Sequence, residues 1–551
     1  MTRAVRSNAK QHVLSRPRLM PKRRRAMRST PHALALGLLS FTVACGPLGF
    51  GGAPPTIAPV PIGTLGLPTV APRPTIVVTI PPTQELPQDD SAAQTESMRV
   101  DNILDVDLFP AATRYAIQAR VTFNTDEGRA RIEGQARILF TNPLVRPLND
   151  FVLMLWPNDA QYRSSMNAGA ALINGLGQSP EVEMGGVALR YALPEPLAPG
   201  AVLDVSIPFE VEATGPIGGA DPKRFGITDG MFAAPTFYPL VPRLVDGEWQ
   251  VEPAPPGGDT TNSDIAFYHV ELTVPAEFGL AASGSLVSRV DNGDGTATQT
   301  MTSGPMRDFA FALGPFVTDE RTVEDVTVKA WVLPAHAEDL SRVLDLATEQ
   351  LRVMSRDVGP YPYSELDVVD APGAFGGIEY PGLVFIGTIG TPRLLIVVVH
   401  EVAHQWFYGL IGNDQLNEPW LDEAAATYAT ALFFEGTGDN GSATGMLSEL
   451  RSTVRSSPDP FAPIGLPVGD YPSTDEYSTI VYLKGALFFE ALRNEIGDDA
   501  FFTFLHNYFS SNRYGFVTES NFQAAAEMAC GCRLNQLFED WVTEGGEVPG
   551  L

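Results

Sequence analysis

Cysteine is nearly absent from this chain. Three in 551 residues, Cys45, Cys530 and Cys532, are too few for a disulfide-built scaffold, and the Cys530-Gly531-Cys532 pair lacks the partners a metal cluster needs. A disulfide across that one-residue gap reads as strained, so both cysteines are taken as structurally minor. Basic residues are scarce as well: 37 Lys+Arg against 65 Asp+Glu give a net charge of −28. Residues 1–44 hold ten of those Lys/Arg and no acid, which leaves 27 against 65, or −38, on the remainder. A surface so acidic argues against nucleic acid as a partner. The apolar run Ala33–Ala44 has only twelve residues, too few to cross a bilayer. Histidine is rare, with seven in the whole chain, so the place of each carries information.

The composition otherwise is that of a soluble globular protein, 44% hydrophobic and 19% charged, and the length allows two or three domains. The basic start followed by Ala33–Ala44 has the form of a signal peptide, residues 1–45. Small residues before Cys45, and Gly46 after it, resemble a bacterial lipoprotein cleavage site, with Thr42 where Leu, Val or Ile is usual. That reading attaches the protein by lipid to the extracytoplasmic face of a bacterial membrane. Ordinary signal cleavage and an uncleaved anchor stay open. Eleven prolines between Gly46 and Asp90 make residues 46–96 an extended tether.

Period-two alternation begins at Ile117–Phe123 and resumes at Ile132 and Ile138–Phe140. Further strands are expected at Val202–Val211, Phe267–Val274 and Phe309–Leu313, with Asp291–Gly295 as a hairpin turn rather than a calcium loop. Residues 97–317 therefore read as one β-rich domain. From 318 the pattern changes: a strand at Val326–Leu333, an amphipathic helix at Ala335–Asp357, strands at Leu366–Val369 and Leu383–Ile386, then mostly helices with a loop-rich interval at Ser456–Asp475.

Where sheet gives way to helices stands His400-Glu401-Val402-Ala403-His404. Histidines four apart lie one helical turn from each other on one face and can converge on a single zinc ion. Glu401 is rotated about 100° from the first of them, beside the position a water would take. The segment Leu394–Val399 is a β-branched run with strand propensity. Thr391-Pro392 as a start and Gly412-Asn413 as a stop nevertheless frame one buried helix, Thr391–Ile411. Glu423, in Trp420-Leu421-Asp422-Glu423, is spaced to return on a second helix as third ligand. Two His, one Glu and an open position are the layout of a catalytic zinc.

Three segments together resemble the M1 family of zinc metallopeptidases, gluzincins of the aminopeptidase N type. They are His400–Trp406 with Trp420–Glu423, Gly376-Gly377-Ile378-Glu379-Tyr380-Pro381-Gly382, and Tyr477–Gly485. The resemblance covers residues 97–551. It implies a saddle-like all-β domain followed by a thermolysin-like α+β catalytic domain, and one zinc ion per chain held by His400, His404 and Glu423. It further implies Glu401 as general base, Tyr482 as oxyanion-stabilising phenol, and Glu379 with Gly376 and Gly377 in substrate binding, the carboxylate taking a peptide's free α-amine. Tyr380 stands where the family usually has Asn, and Ala424-Ala425 where it has Gly-Phe. Of the family's acidic segment in the β domain only Phe237-Tyr238-Pro239 is recognisable. The expected activity is removal of N-terminal residues from peptides, with a peptide running along Leu383–Ile386. An endopeptidase of the same fold and a catalytically inactive surface-binding lipoprotein are the alternatives.

The anchor reading is tested at one residue. Cys45→Ala should release the protein from the membrane fraction or block its processing; a variant processed and sedimenting like the parent removes the lipid anchor.

Overall fold

The computed structural model describes residues 91–215, 224–253, 255, 263–373, 375–548 and 551. The signal segment, Cys45 and most of the tether lie outside these. Residues 91–96, read from sequence as the tether's end, belong to the folded body: Ser91–Thr95 is a helix, and the Ala93 carbonyl accepts from Thr302 Oγ1 at 2.9 Å.

A β-rich part comes first. Its main sheet has nine strands, with Thr113–Asn124 and Arg129–Thr141 as a central hairpin, Val202–Thr214 antiparallel to the second and Ala266–Pro275 parallel to the first. Burial alternates along these strands as their sequence alternates, so one face is a core and the other is solvated. Asp291–Gly295 turns between Ser285–Asp291 and Thr296–Thr302, closed by Asn292 N–H to the Thr296 carbonyl at 3.0 Å. A four-stranded sheet holds Met231–Pro235 and Ala310–Gly314. Between the sheets lies an aromatic cluster in which Tyr115 stacks on Tyr268 and Phe237 packs edge-on to Phe311. The fragment Phe237-Tyr238-Pro239 is part of that core: the Tyr238 hydroxyl donates to Tyr268 and accepts from the Phe309 N–H.

The second part begins with a five-stranded sheet in the order Val317–Val323, Val326–Val332, Glu365–Asp370, Leu383–Ile386, Gly377–Ile378. The strand Leu383–Ile386 was expected to be free for a substrate. It is interior, parallel to Glu365–Asp370 on one side and antiparallel to Gly377–Ile378 on the other. The edge is the two-residue Gly377–Ile378, which sequence could not show as a strand because it is short and starts with glycine. The amphipathic helix is Leu340–Asp357, preceded by a 3₁₀ segment, Pro334–Asp339. Its Val343, Ala347, Leu351 and Met354 are buried, a run spaced to pack against the helix Leu394–Ala403 that carries the motif.

That motif helix is shorter than expected at both ends. Thr391-Pro392 form a turn, with the Thr391 N–H on the Thr388 carbonyl at 3.1 Å. The chain cannot stay helical as far as Ile411, because Tyr408 has φ 109°. The neighbouring helix Trp420–Gly436 is buried on every side from Trp420 to Phe433. Thr474–Tyr477 runs into a π-helical stretch, Ser478–Lys484, and on into Gly485–Ile496. Asp498–Asn512, Glu519–Cys530 and the short Asn535–Phe538 follow.

Cys530 and Cys532 form a disulfide, contrary to expectation. Gly531, at φ 63° past the helix end, folds the chain back so that the two Cα atoms are 5.2 Å apart. Among the described residues no helix is long and apolar enough to cross a membrane.

Candidate metal centre

His400 lies in the last turn of Leu394–Ala403 and His404 caps it, so both imidazoles leave the same face. Glu423 reaches them from the first turn of Trp420–Gly436. All three are at most 2% exposed. Glu423 Oε2 is 3.2 Å from His400 Nε2 and 3.2 Å from His404 Nε2, and the two imidazole nitrogens are 2.9 Å apart. Three ligands on a tetrahedral zinc, each at about 2.0–2.1 Å, stand about 3.3 Å from one another. The donor set matches that triangle.

The outer nitrogens support the same assignment. With Nδ1 of His404 donating to the Phe407 carbonyl at 3.0 Å, Nε2 carries the lone pair. Thr427 Oγ1 lies 3.4 Å from His400 Nδ1 and orients that ring in the same sense. Two imidazole lone pairs and a carboxylate aimed at one point repel each other until a cation stands there. The chemistry of the donors thus fits a divalent metal.

Charge in the pocket is lopsided. Burial pushes the His400 imidazole down to about 4, with the neighbouring His404 adding to the effect. Burial acts on His404 in the same direction, but Glu379 and Glu423 outweigh it and favour positive charge there. For Glu423 burial opposes ionisation, yet the two imidazoles hold its carboxyl down at about 2. The common cause is a cluster of carboxylates around two imidazoles in a space closed to water, which favours a cation at its centre.

Glu401 is fully buried one residue along from His400. A carboxylate oxygen of Glu401, one of Glu379 and a nitrogen of His404 lie within 4.8 Å of one another. Gly377 packs directly on Glu401: a Cβ at 377 would be 2.5 Å from Glu401 Oε1. Gly376 holds the turn below, its carbonyl accepting from Gly387 N–H at 2.8 Å. Tyr482, in the π-helical stretch, donates its hydroxyl to Glu423 Oε1 and stacks on the His400 ring. The widened turn of a π-helix moves one side chain out of α-helical register, and such turns recur at functional sites. The structure therefore brings His400, Glu401, His404, Glu423, Glu379, Gly377 and Tyr482 into one buried cluster, with Gly376 supporting its edge.

Two departures from the family pattern are explained locally. The Glu379 segment is held by its backbone, since Gln405 Nε2 donates to the Tyr380 carbonyl at 3.1 Å and Gln405 Oε1 accepts from Gly382 N–H at 2.8 Å. The Tyr380 side chain packs edge-on to Phe385 instead, so the segment's position does not depend on an Asn there. Ala424 in place of Gly faces a glycine: a Cβ on Gly485 would be 2.5 Å from that of Ala424.

Sequence reasoning missed four residues. Gln415 Nε2 donates to Glu379 Oε1 and to Asp422 Oδ2, both at 3.1 Å, and Asp422 Oδ1 accepts the Glu423 N–H at 2.9 Å. The Asp308 carboxylate accepts from the Tyr408 hydroxyl, and Arg307 Nε donates to the Tyr408 carbonyl at 2.8 Å. Backbone strain of the kind at Tyr408 costs about 1–3 kcal/mol and needs such support. A lone glutamine between motifs, and an Arg-Asp pair about a hundred residues upstream, give no spacing signal.

The geometry is that of a three-donor site for a divalent metal on a His-Glu-x-x-His helix. Residues 343–541 match the family model described as peptidase family M1 domain. The chain is 24% identical over 301 residues to Aminopeptidase M1 of Arabidopsis thaliana, covering 51% of this chain and 34% of that protein. It is 28% identical over 228 residues to human Aminopeptidase B, covering 39% and 34%. The chain thus spans about a third of the length of these curated relatives. Among solved structures, a mutant M1 zinc metallopeptidase of Deinococcus radiodurans bound to a Tyr-Ser-Ala substrate superposes with TM-score 0.59 at 22% identity, over 80% of this chain and 96% of that one. At that identity the likeness establishes the fold: a β-rich region followed by a helical part.

Gly377→Ala tests the packing on Glu401. A methyl 2.5 Å from that carboxylate displaces it, and a misplacement of about 1 Å should lower hydrolysis roughly 10²-fold. Metal analysis of the purified variant should still find zinc, whereas His404→Ala should lose it.

Proposed function

We propose that this protein is a zinc-dependent aminopeptidase that cleaves the first peptide bond of substrates with a free amino terminus. The observation that carries the reading is the place of Glu379, directly after the edge strand Gly377–Ile378 and within 4.8 Å of Glu401 and His404. A carboxylate there neutralises a peptide's ammonium one residue from the metal, so the bond presented is the first.

His400, His404 and Glu423 would hold a zinc ion, which when bound would supply Lewis acidity to the substrate carbonyl and to the attacking water. Glu401 takes the proton from that water and passes it to the leaving nitrogen. The Tyr482 hydroxyl, which rests on Glu423 Oε1, would turn to donate to the oxyanion as it develops. The open side of Gly377–Ile378 offers backbone groups for an extended peptide to pair with. Gln415 holds the Glu379 carboxylate through a neutral amide.

The reading includes export. Residues 1–45 carry the signal-like segment that would place the enzyme on the outer side of a bacterial membrane, with Cys45 as lipid anchor and residues beyond it as spacer.

A charge-assisted contact is worth about 1.5–3 kcal/mol, so Glu379→Ala should lower kcat/KM for free-amine substrates by about 10–150-fold and change N-acetylated ones little. If the parent enzyme cleaves an internal bond of an N-acetylated peptide as fast as it removes a residue from the free one, the protein is an endopeptidase. For Tyr482→Phe, kcat should fall roughly 10²–10³-fold with KM almost unchanged. Steady-state kinetics with near-parental kcat would move the oxyanion role elsewhere.

A further inference from the structure

Tyr408 has φ 109°, a value that L side chains rarely adopt and glycine adopts freely. Rotation about this bond turns the peptide plane that carries the Phe407 carbonyl, because that plane is joined directly to the Tyr408 nitrogen. The Phe407 carbonyl is the group that receives His404 Nδ1 at 3.0 Å. Were Tyr408 to relax to negative φ, the carbonyl would swing away and the ring would lose its orienting bond.

What prevents relaxation comes from the β-rich part. The consecutive residues Arg307 and Asp308, just ahead of the strand Ala310–Gly314, hold the two ends of Tyr408: Arg307 Nε its carbonyl, at 2.8 Å, and Asp308 its hydroxyl. Arg307 is 1% exposed. Its guanidinium also donates to the Gly515 and Ser263 carbonyls, and it fills the space beside Gly412, where a Cβ would stand 2.1 Å from its Cζ. The Tyr408 N–H is bonded to the Ile411 carbonyl at 2.9 Å.

We propose that Arg307 and Asp308 are positioning residues for the metal ligand His404, acting by locking Tyr408 at positive φ and so aiming the Phe407 carbonyl at His404 Nδ1. The inference rests on His404 being a zinc ligand. It makes the β-rich part a contributor to zinc affinity through a relay of named bonds, beyond any general support of the fold.

The test is zinc affinity, measured by competition with a chelator on full-length protein whose folding is checked by circular dichroism and by the Tm of the metal-free form. Asp308→Ala and Tyr408→Phe should each weaken zinc binding by about 10–100-fold, the usual effect of removing support behind a metal-bound histidine. Asp308→Asn, which keeps an acceptor for the hydroxyl, should bind as the parent does. The double variant Asp308→Ala with Tyr408→Gly should recover parental affinity, because glycine holds the conformation without a clamp. If Asp308→Ala does not fold, Tyr408→Phe, which lacks one oxygen atom, carries the test. Single variants that bind zinc as tightly as the parent, whatever their Tm, overturn the proposal, as does a double variant no tighter than Asp308→Ala. A parent protein that binds no zinc would contradict the metal assignment instead.

Discussion

Two imidazole nitrogens and a carboxylate oxygen meet within 3.2 Å of one another in a space almost closed to water, and that meeting constrains everything around it. Taking a carboxylate and two imidazoles out of water costs several kcal/mol per charged group and is recovered only when a counter-charge sits between them. The surroundings are built to hold the meeting in place. The motif helix is so rich in valine that it disappears into the core, and the helix bearing Glu423 is buried on every side for fourteen residues, Trp420 to Phe433. Neither has a polar face to offer solvent, so neither can slide or rotate without exposing apolar surface.

Around this triangle each chemical group is fixed by a separate element. Glu379 comes from the sheet edge, Glu401 from the motif helix, and Tyr482 from a π-helical turn. Gln405, next in sequence to His404, reaches back to the Tyr380–Gly382 backbone and so ties the sheet edge to the metal helix. The Trp406 indole donates to the Gly359 carbonyl at 2.7 Å and ties the same helix end to the chain entering the central strand. A short stretch, His400–Trp406, thus carries two of the three metal-facing donors, Glu401 and both staples together.

The parts of this arrangement that sequence made legible are those with a period or a fixed spacing. With only seven histidines, two at i and i+4 beside a glutamate stand out, and a helix can bring Glu423 to them. Strand alternation in Thr113–Asn124 and Val202–Thr214 is equally plain. What could not be read is backbone conformation and long-range polar contact. The sequence pattern runs on to Ile411 where the helix does not, because nothing in a tyrosine announces φ 109°. Leu383–Ile386 was given the edge because the true edge strand is two residues long. Ser91–Thr95 reads as tether because it is only five residues long, too short for a helical period to show. Gln415, Arg307 and Asp308 are single polar residues that themselves fall outside any motif, so their roles exist only in three dimensions.

The central claim is that Glu401 moves protons and does not bind the metal, while His400, His404 and Glu423 do. Comparing zinc content and turnover of Glu401→Gln with the parent tests it most directly. Stoichiometric zinc with turnover reduced by at least about 10²-fold is the result expected of a general base beside a three-ligand site. Loss of zinc from the folded variant, or turnover close to the parent's, would contradict the assignment.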